Sequence, residues 1–212
     1  MRAALLVVAA AALAIPLGAP AAGQALRPIA GCTAVKRPAP RPNGGHRAPK
    51  SLLPAGHTYS AVFTTNCGSF TVKLAAKASP RTVASFVALA RAGFFDRTIF
   101  HRIVPGFVIQ GGDPTQTGGG GPGYETVDAP PQGTQYVRGV VAMAKTQTEP
   151  PGASGSQFFV VTGANVGLPP DYAILGRVTK GLDVVLRIGR LGNAQEQPTR
   201  VVEILRVRVS VS

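Results

Sequence analysis

Between Thr58 and Ala75 the chain alternates apolar with polar positions, Phe70, Val72 and Leu74 against Thr71 and Lys73, around the turn Asn66-Cys67-Gly68. Period two broken by a turn predicts a β-hairpin over 58–64 and 69–75. The period then lengthens. Ser79-Pro80 supplies an N-cap and a first-turn proline, and Val83, Phe86, Val87 and Ala90 recur at helical spacing until Gly93. Short apolar runs follow at 98–104, 106–110, 138–144, 157–162 and 173–178, parted by Gly/Pro-rich turns. A second helix is predicted over 182–190, with Val184, Val185 and Ile188 on one side. The last run, 201–211, sets Leu205, Val207, Val209 and Val211 against Arg206, Arg208 and Ser210, as a closing strand with one wet face does. This order lacks the βαβ rhythm of a parallel sheet and predicts a mostly β, closed barrel with two helices.

Composition changes the picture at the N-terminus. Met1-Arg2 followed by an uncharged apolar stretch to Ile15 has the build of a secretory signal, and Pro16, Gly18 and Pro20 interrupt it before the ~20 residues of a membrane helix are reached. A signal is expected over 1–25, with cleavage as late as before Cys32, and hence an extracytoplasmic protein: secreted, periplasmic or in the cell wall, or lipid-anchored on the outer membrane face. Ile29-Ala30-Gly31-Cys32 also has the look of a lipoprotein box. Cys32 is therefore read as a disulfide partner of Cys67, a lipid attachment point, or a free thiol. Residues 26–54 are rich in Pro, Gly and basic residues and are expected to form a flexible tether, leaving 55–212 as one domain. Of the 22 Lys and Arg, seven lie in the first 50 residues, where no Asp or Glu occurs, and the net charge is +13. Such a basic tail suits anionic lipid or cell-wall polymer; no specific nucleic-acid partner is expected.

The candidate chemistry centres on Phe100-His101-Arg102-Ile103-Val104 and Gln110-Gly111-Gly112-Asp113-Pro114. An arginine in an otherwise apolar strand is costly unless its charged fork has a use. Gln110 and Gln157 also stand within apolar runs, where an amide needs hydrogen-bond partners. With Phe94-Phe95-Asp96, Pro105-Gly106-Phe107, Met143-Ala144-Lys145, Gly155-Ser156-Gln157-Phe158-Phe159 and Leu175-Gly176-Arg177-Val178, these segments resemble the cyclophilins, peptidyl-prolyl cis/trans isomerases, over residues 57–210, in a bacterial, exported form.

The resemblance implies a closed eight-stranded antiparallel β-barrel capped by two α-helices. It assigns Arg102 to catalysis, and Phe107, Val108, Phe159 and Leu168 to a proline pocket. Gln110 and Gln157 would contact substrate backbone and orient the arginine. Ala144 and Lys145 match a pair whose backbone meets the substrate chain, Lys145 replacing the usual asparagine and favouring acidic neighbours of the proline. Tyr172 stands where many members have histidine, and Gly167 where eukaryotic members have tryptophan. Rotation about an X-Pro bond makes and breaks no covalent bond, so no cofactor is expected. The implied partners are proline-containing polypeptide clients, bound by a monomer. The alternative is a non-catalytic proline-peptide module or holdase on the same fold.

Other residues draw plainer readings. His101, next to Arg102 on the opposite face, is expected to be a core histidine; His46, His57 and His101 have no metal-ligand spacing, so no metal is expected. Gly118 to Gly123 matches a phosphate-loop pattern but contains Pro122 and opens no helix. Ser154 and Ser156 have no base in view.

Overall fold

The computed structural model describes residues 31–212. The expected signal and the first residues of the expected tether, 26–30, lie outside the described residues. The predicted hairpin is β1 (Tyr59–Thr65) and β2 (Gly68–Leu74), in register from Ser60↔Lys73 to Thr65↔Gly68. Phe63 and Phe70 face each other across it and stack at 4.7 Å. They join Phe86, Phe95, Phe100 and Phe158 in the core, each of whose buried side chains stabilises the fold by ~1.5–3 kcal/mol.

The first helix, α1 (Pro80–Arg91), buries Val83, Phe86, Val87 and Ala90 as their spacing predicts. Its cap differs. Ser79 makes no side-chain capping bond; instead the buried Asp128 carboxylate accepts from the Thr82 backbone N–H at 2.7 Å. An acceptor brought from 46 residues away satisfies the first-turn donor that a local serine would have taken.

The remaining strands are β3 (Thr98–Ile99), β4 (Arg102–Val104), β5 (Val108–Gly111), β6 (Thr126–Val127), β7 (Val140–Met143), β8 (Ala153–Ser154), β9 (Phe158–Val161), β10 (Ile174–Lys180) and β11 (Glu203–Val211). The second helix, α2 (Leu182–Gly189), precedes β11. Gly181 opens α2 at φ +74, where an added Cβ would lie 2.3 Å from the Ser69 carbonyl oxygen, so only glycine fits. Nine strands form one sheet in the order β3-β11-β1-β2-β10-β7-β9-β5-β4, all pairs antiparallel; β6 and β8 form a small second sheet where the sequence suggested loop.

The expectation of a closed eight-stranded barrel is corrected. The nine-stranded sheet curls through 296° and leaves its edges 9 Å apart, an open half-barrel capped by the two helices. The reason lies in the run 98–104, which reads as one strand but divides at Phe100–His101. Its first part pairs with β11 and its second with β5, while Phe100 N donates to Val202 O and Ile103 N to Glu196 O. The two edge strands are thus consecutive pieces of one segment, joined end to end, with no ladder between them.

The closing strand departs from its predicted phase. A register shift between Thr64↔Arg206 and Thr65↔Ile204 leaves Leu205 unpaired and exposed while Ile204 and Val207 are both buried. One extra residue in a bulge reverses the faces beyond it.

Residues 31–58 form no helix or strand. Cys32 is joined to Cys67 in a disulfide, Cys32 and Leu53 pack against the core, and backbone hydrogen bonds link the stretch to residues 114–122.

Candidate active site

Strands β7 and β9 are buried on both faces and β5 nearly so, which is why 140–143 and 158–161 read as unbroken apolar runs, while β4 leaves its outer face half-exposed. Ile103, Ile109, Val141, Met143, Phe158 and Val160 point into the main core. The intervening Val108, Val140, Ala142, Phe159 and Val161 point outward and form a second apolar cluster with buried Tyr136. Phe107, Leu168, Tyr172 and Ala144 pack against this second cluster, so the hydrophobes that the resemblance assigns to a proline pocket lie together on the outer face of the sheet. Its aromatic frame is a trio: Phe159 and Tyr172 meet edge to face at 5.4 Å, and Tyr136 lies 5.8 Å from Tyr172.

Tyr136 has no counterpart in the sequence reading. Its hydroxyl donates to Tyr172 O at 2.7 Å and accepts from Tyr172 N at 2.9 Å, which fixes the loop carrying Tyr172. Burial pushes its pKa up to about 12. The hydroxyl therefore stays protonated and acts as a structural donor.

Alternation places Arg102 and Gln110 on that outer face, directly opposite each other in the β4–β5 ladder. A continuous polar chain results. Arg102 Nη1 donates to Gln110 Oε1 at 3.2 Å, Gln110 Nε2 to Gln157 Oε1 at 3.0 Å, and Gln157 Nε2 to the carbonyls of Gly118 and Gly120 at 2.8 and 2.9 Å. Carbonyl oxygens only accept, so the end of the chain dictates both amide orientations and presents an oxygen to the guanidinium. Arg102 Nε is held separately, by Glu196 Oε2 at 2.6 Å. Glu196 comes from a loop after α2 at φ +61, and no sequence signal links it to Arg102.

The loop that receives Gln157 is organised by Asp113, whose carboxylate accepts from the backbone of Thr115, Thr117 and Gly118 and from the Thr115 hydroxyl. Burial raises the Asp113 pKa, but hydrogen bonds from Thr115, Gly118 and Gly120 outweigh it and hold the group below the ordinary carboxylate range. His101 is half-buried, and among the described residues neither ring nitrogen has a hydrogen-bond partner. Its pKa is lowered by burial, against the pull of Asp113, so it is neutral at pH 7 and is placed as a packing residue.

Beside the polar chain opens a cavity of about 440 Å³ bordered by Gln110, Gln157, Gly120, Glu125, Lys145 and Glu149. Lys145 keeps its ammonium engaged within the protein. Its side chain is 6% exposed, donating to Thr146 O and Glu149 O at 3.1 Å, 4.0 Å from Asp171 and 5.6 Å over the Tyr172 ring. The charge expected to attract acidic substrate residues is used within the protein. Glu125 and Glu149 both border the cavity, and the interaction with the Glu149 carboxylate pushes the Glu125 pKa up. Ser154 and Ser156 spend their hydroxyls on the carbonyls of Gly152 and Gly112. Gly167 takes φ +63 with open space around it.

A family profile described as cyclophilin type peptidyl-prolyl cis-trans isomerase matches residues 60–209. Peptidyl-prolyl cis-trans isomerase CYP18-2 of Arabidopsis thaliana is 37% identical over 75% of this chain and 98% of its own length. Peptidyl-prolyl cis-trans isomerase-like 1 of Aspergillus fumigatus is 39% identical over 70% of this chain and 93% of its own. The crystal structure of a Cryptosporidium parvum cyclophilin type isomerase superposes with a TM-score of 0.66 at 29% identity, covering 72% of this chain and 98% of that one. A plant, a fungus and a protozoan supply these relatives, and the bacterial attribution draws no support from them.

Proposed function

The chain belongs to the cyclophilin-type peptidyl-prolyl cis-trans isomerases, enzymes acting on proline-containing polypeptides, and from that premise we propose that Arg102 drives rotation about X-Pro bonds of clients seated on the outer apolar cluster. The observation carrying this reading is the chain from Arg102 through Gln110 and Gln157 to the Gly118 and Gly120 carbonyls, set beside Phe107, Val108, Phe159, Leu168 and Tyr172.

The physics asks for little more. Amide resonance sets a barrier of ~18–20 kcal/mol, and at the twisted state the nitrogen recovers its lone pair. A donor waiting at that nitrogen stabilises the twisted state above both planar ones, and that difference is catalysis. Nε is taken by Glu196 and one Nη1 proton by Gln110, which fixes the plane of the guanidinium and leaves its remaining protons for the client. The apolar cluster holds the proline ring, while Ala144, Lys145, Gln110 and Gln157 meet its flanking backbone. Truncating the pocket therefore acts on binding: Phe159→Ala is expected to raise KM in a proline-peptide isomerase assay by tenfold or more and to leave kcat within a fewfold. A kcat collapse at unchanged KM would contradict this division.

The clients are exported proteins in this reading. Supporting it are the signal-like first residues and the Cys32–Cys67 disulfide, which persists in oxidising compartments and occupies the thiol a lipid anchor would need. Exposed Lys36, Arg37, Arg47 and Lys50 give the N-terminal segment a basic surface for anionic lipid or cell-wall polymer, carried by a monomer.

A further inference from the structure

Residues 38–46 run along the glycine-rich loop 114–122, outside the stretch that matches the family. The contacts are regular. Arg41 N donates to Pro114 O at 2.8 Å, Gly44 N to Gly121 O at 3.0 Å and His46 N to Pro122 O at 3.0 Å. Gly121 N donates back to Asn43 Oδ1 at 2.8 Å, and Gln116 Nε2 to Pro38 O at 2.9 Å. Arg41 Nη2 bonds Phe94 O, and the His46 ring meets the Phe94 ring edge to face at 4.9 Å. Gly44 and Gly123 approach so closely that a Cβ on Gly123 would lie 3.0 Å from the Gly44 Cα. The Cys32–Cys67 disulfide ties the start of the segment to the β1–β2 turn.

We propose that this N-terminal strap is a positioning element of the active site, holding the Gly118 and Gly120 carbonyls where Gln157 needs them. Four consecutive glycines, 118–121, lose more backbone freedom on ordering than any other residues, and the bonds to Asp113 reach from Thr115 as far as Gly120, while Gly121 N donates to Asn43 instead. The strap fixes the far end at Gly121 and Pro122. Those carbonyls set the orientation of the Gln157 amide, Gln157 sets that of Gln110, and Gln110 presents an oxygen to Arg102. A loosened loop lets either amide turn over, which would set an NH₂ against the guanidinium. The strap touches neither substrate nor the reacting bond, and the inference rests on the mechanism proposed above.

The test is a double-mutant cycle in the full, disulfide-bonded chain, replacing 38–46 by a Gly/Ser stretch of equal length, alone and with Gln157→Ala, and reading kcat/KM on an Ala-Pro peptide. Strap replacement is expected to cost threefold to tenfold in the parent and nothing further once Gln157 is gone. Equal losses in both backgrounds, or none in either, overturn the inference. If Gln157→Ala itself leaves the rate unchanged, the proposed mechanism fails instead. Asn43→Ala and Asn43→Asp provide a second arm that leaves the fold intact: the carboxylate still accepts from Gly121 N, so Asp should hold the parent rate while Ala falls. Loss of melting temperature in Asn43→Ala with an unchanged rate would leave the strap a purely stabilising part and overturn the proposal.

Discussion

Glu196 carries more consequence for rate than for stability. Its pair with Arg102 is short, yet the two side chains are 49% and 35% exposed, and ion pairs so open to water contribute ~0–1 kcal/mol to folding. What it supplies is direction, an acceptor on Nε that turns the fork toward Gln110 and the groove. Glu196→Ala is therefore expected to lower kcat/KM roughly two- to tenfold, the equivalent of a net hydrogen bond of ~0.5–1.5 kcal/mol, with little change in melting temperature. Glu196→Gln keeps an acceptor and should recover most of the loss; a Gln variant as slow as Ala would mean the charge matters rather than the direction. Arg102, Gln110 and Gln157 were legible in the sequence because polar side chains in apolar strands demand partners. Glu196 and Tyr136 were not, since each reaches its partner from a loop that only the folded chain brings near.

Among the elements, the loop after β5 shows how one buried acid organises a glycine-rich stretch. Asp113 is fully buried and held below the ordinary carboxylate range by its hydrogen bonds, whereas an unfolded chain protonates it at the ordinary value. The fold is therefore favoured by this group above the ordinary carboxylate range, and that contribution is lost as pH falls through the lowered native value. Asp113→Asn, which mimics the protonated acid, should lower the melting temperature at pH 7 and converge on the parent as pH falls through the lowered native value of the acid. A difference that stays constant with pH would show that packing, not charge, is at stake. The hairpin and both helices could be read from periodicity because their large apolar side chains recur at period two or at helical spacing, even though α1 is buried along most of its length. Most strands of the groove could not be resolved the same way: β7 and β9 are buried on both sides and lose their alternation, and the division of 98–104 between two partners leaves no mark in composition. The Leu205 bulge and the β6–β8 pair, two residues each way, are equally silent in the sequence.

For the whole molecule, the half-barrel is a frame with two apolar sides, an aromatic core within and a groove without, and the polar chain lies along the seam where β4 ends the sheet. Open edges do not leave it loose there, because covalent continuity through Phe100–His101 and the hydrogen bond from Ile103 N to Glu196 O bind that edge to the rest. The resemblance foresaw the two capping helices; it overstated closure, since motifs report local chain rather than how edges meet. The whole arrangement converges on one guanidinium, so Arg102→Ala is the direct test, read by NMR exchange between cis and trans forms of an Ala-Pro peptide at saturating peptide concentration. Loss of a single preorganised donor costs about 10²-fold or more, and the account predicts that exchange in the bound peptide slows by that factor while affinity for the peptide stays within a fewfold of the parent. An Arg102→Ala protein that exchanges its bound peptide as fast as the parent would contradict it.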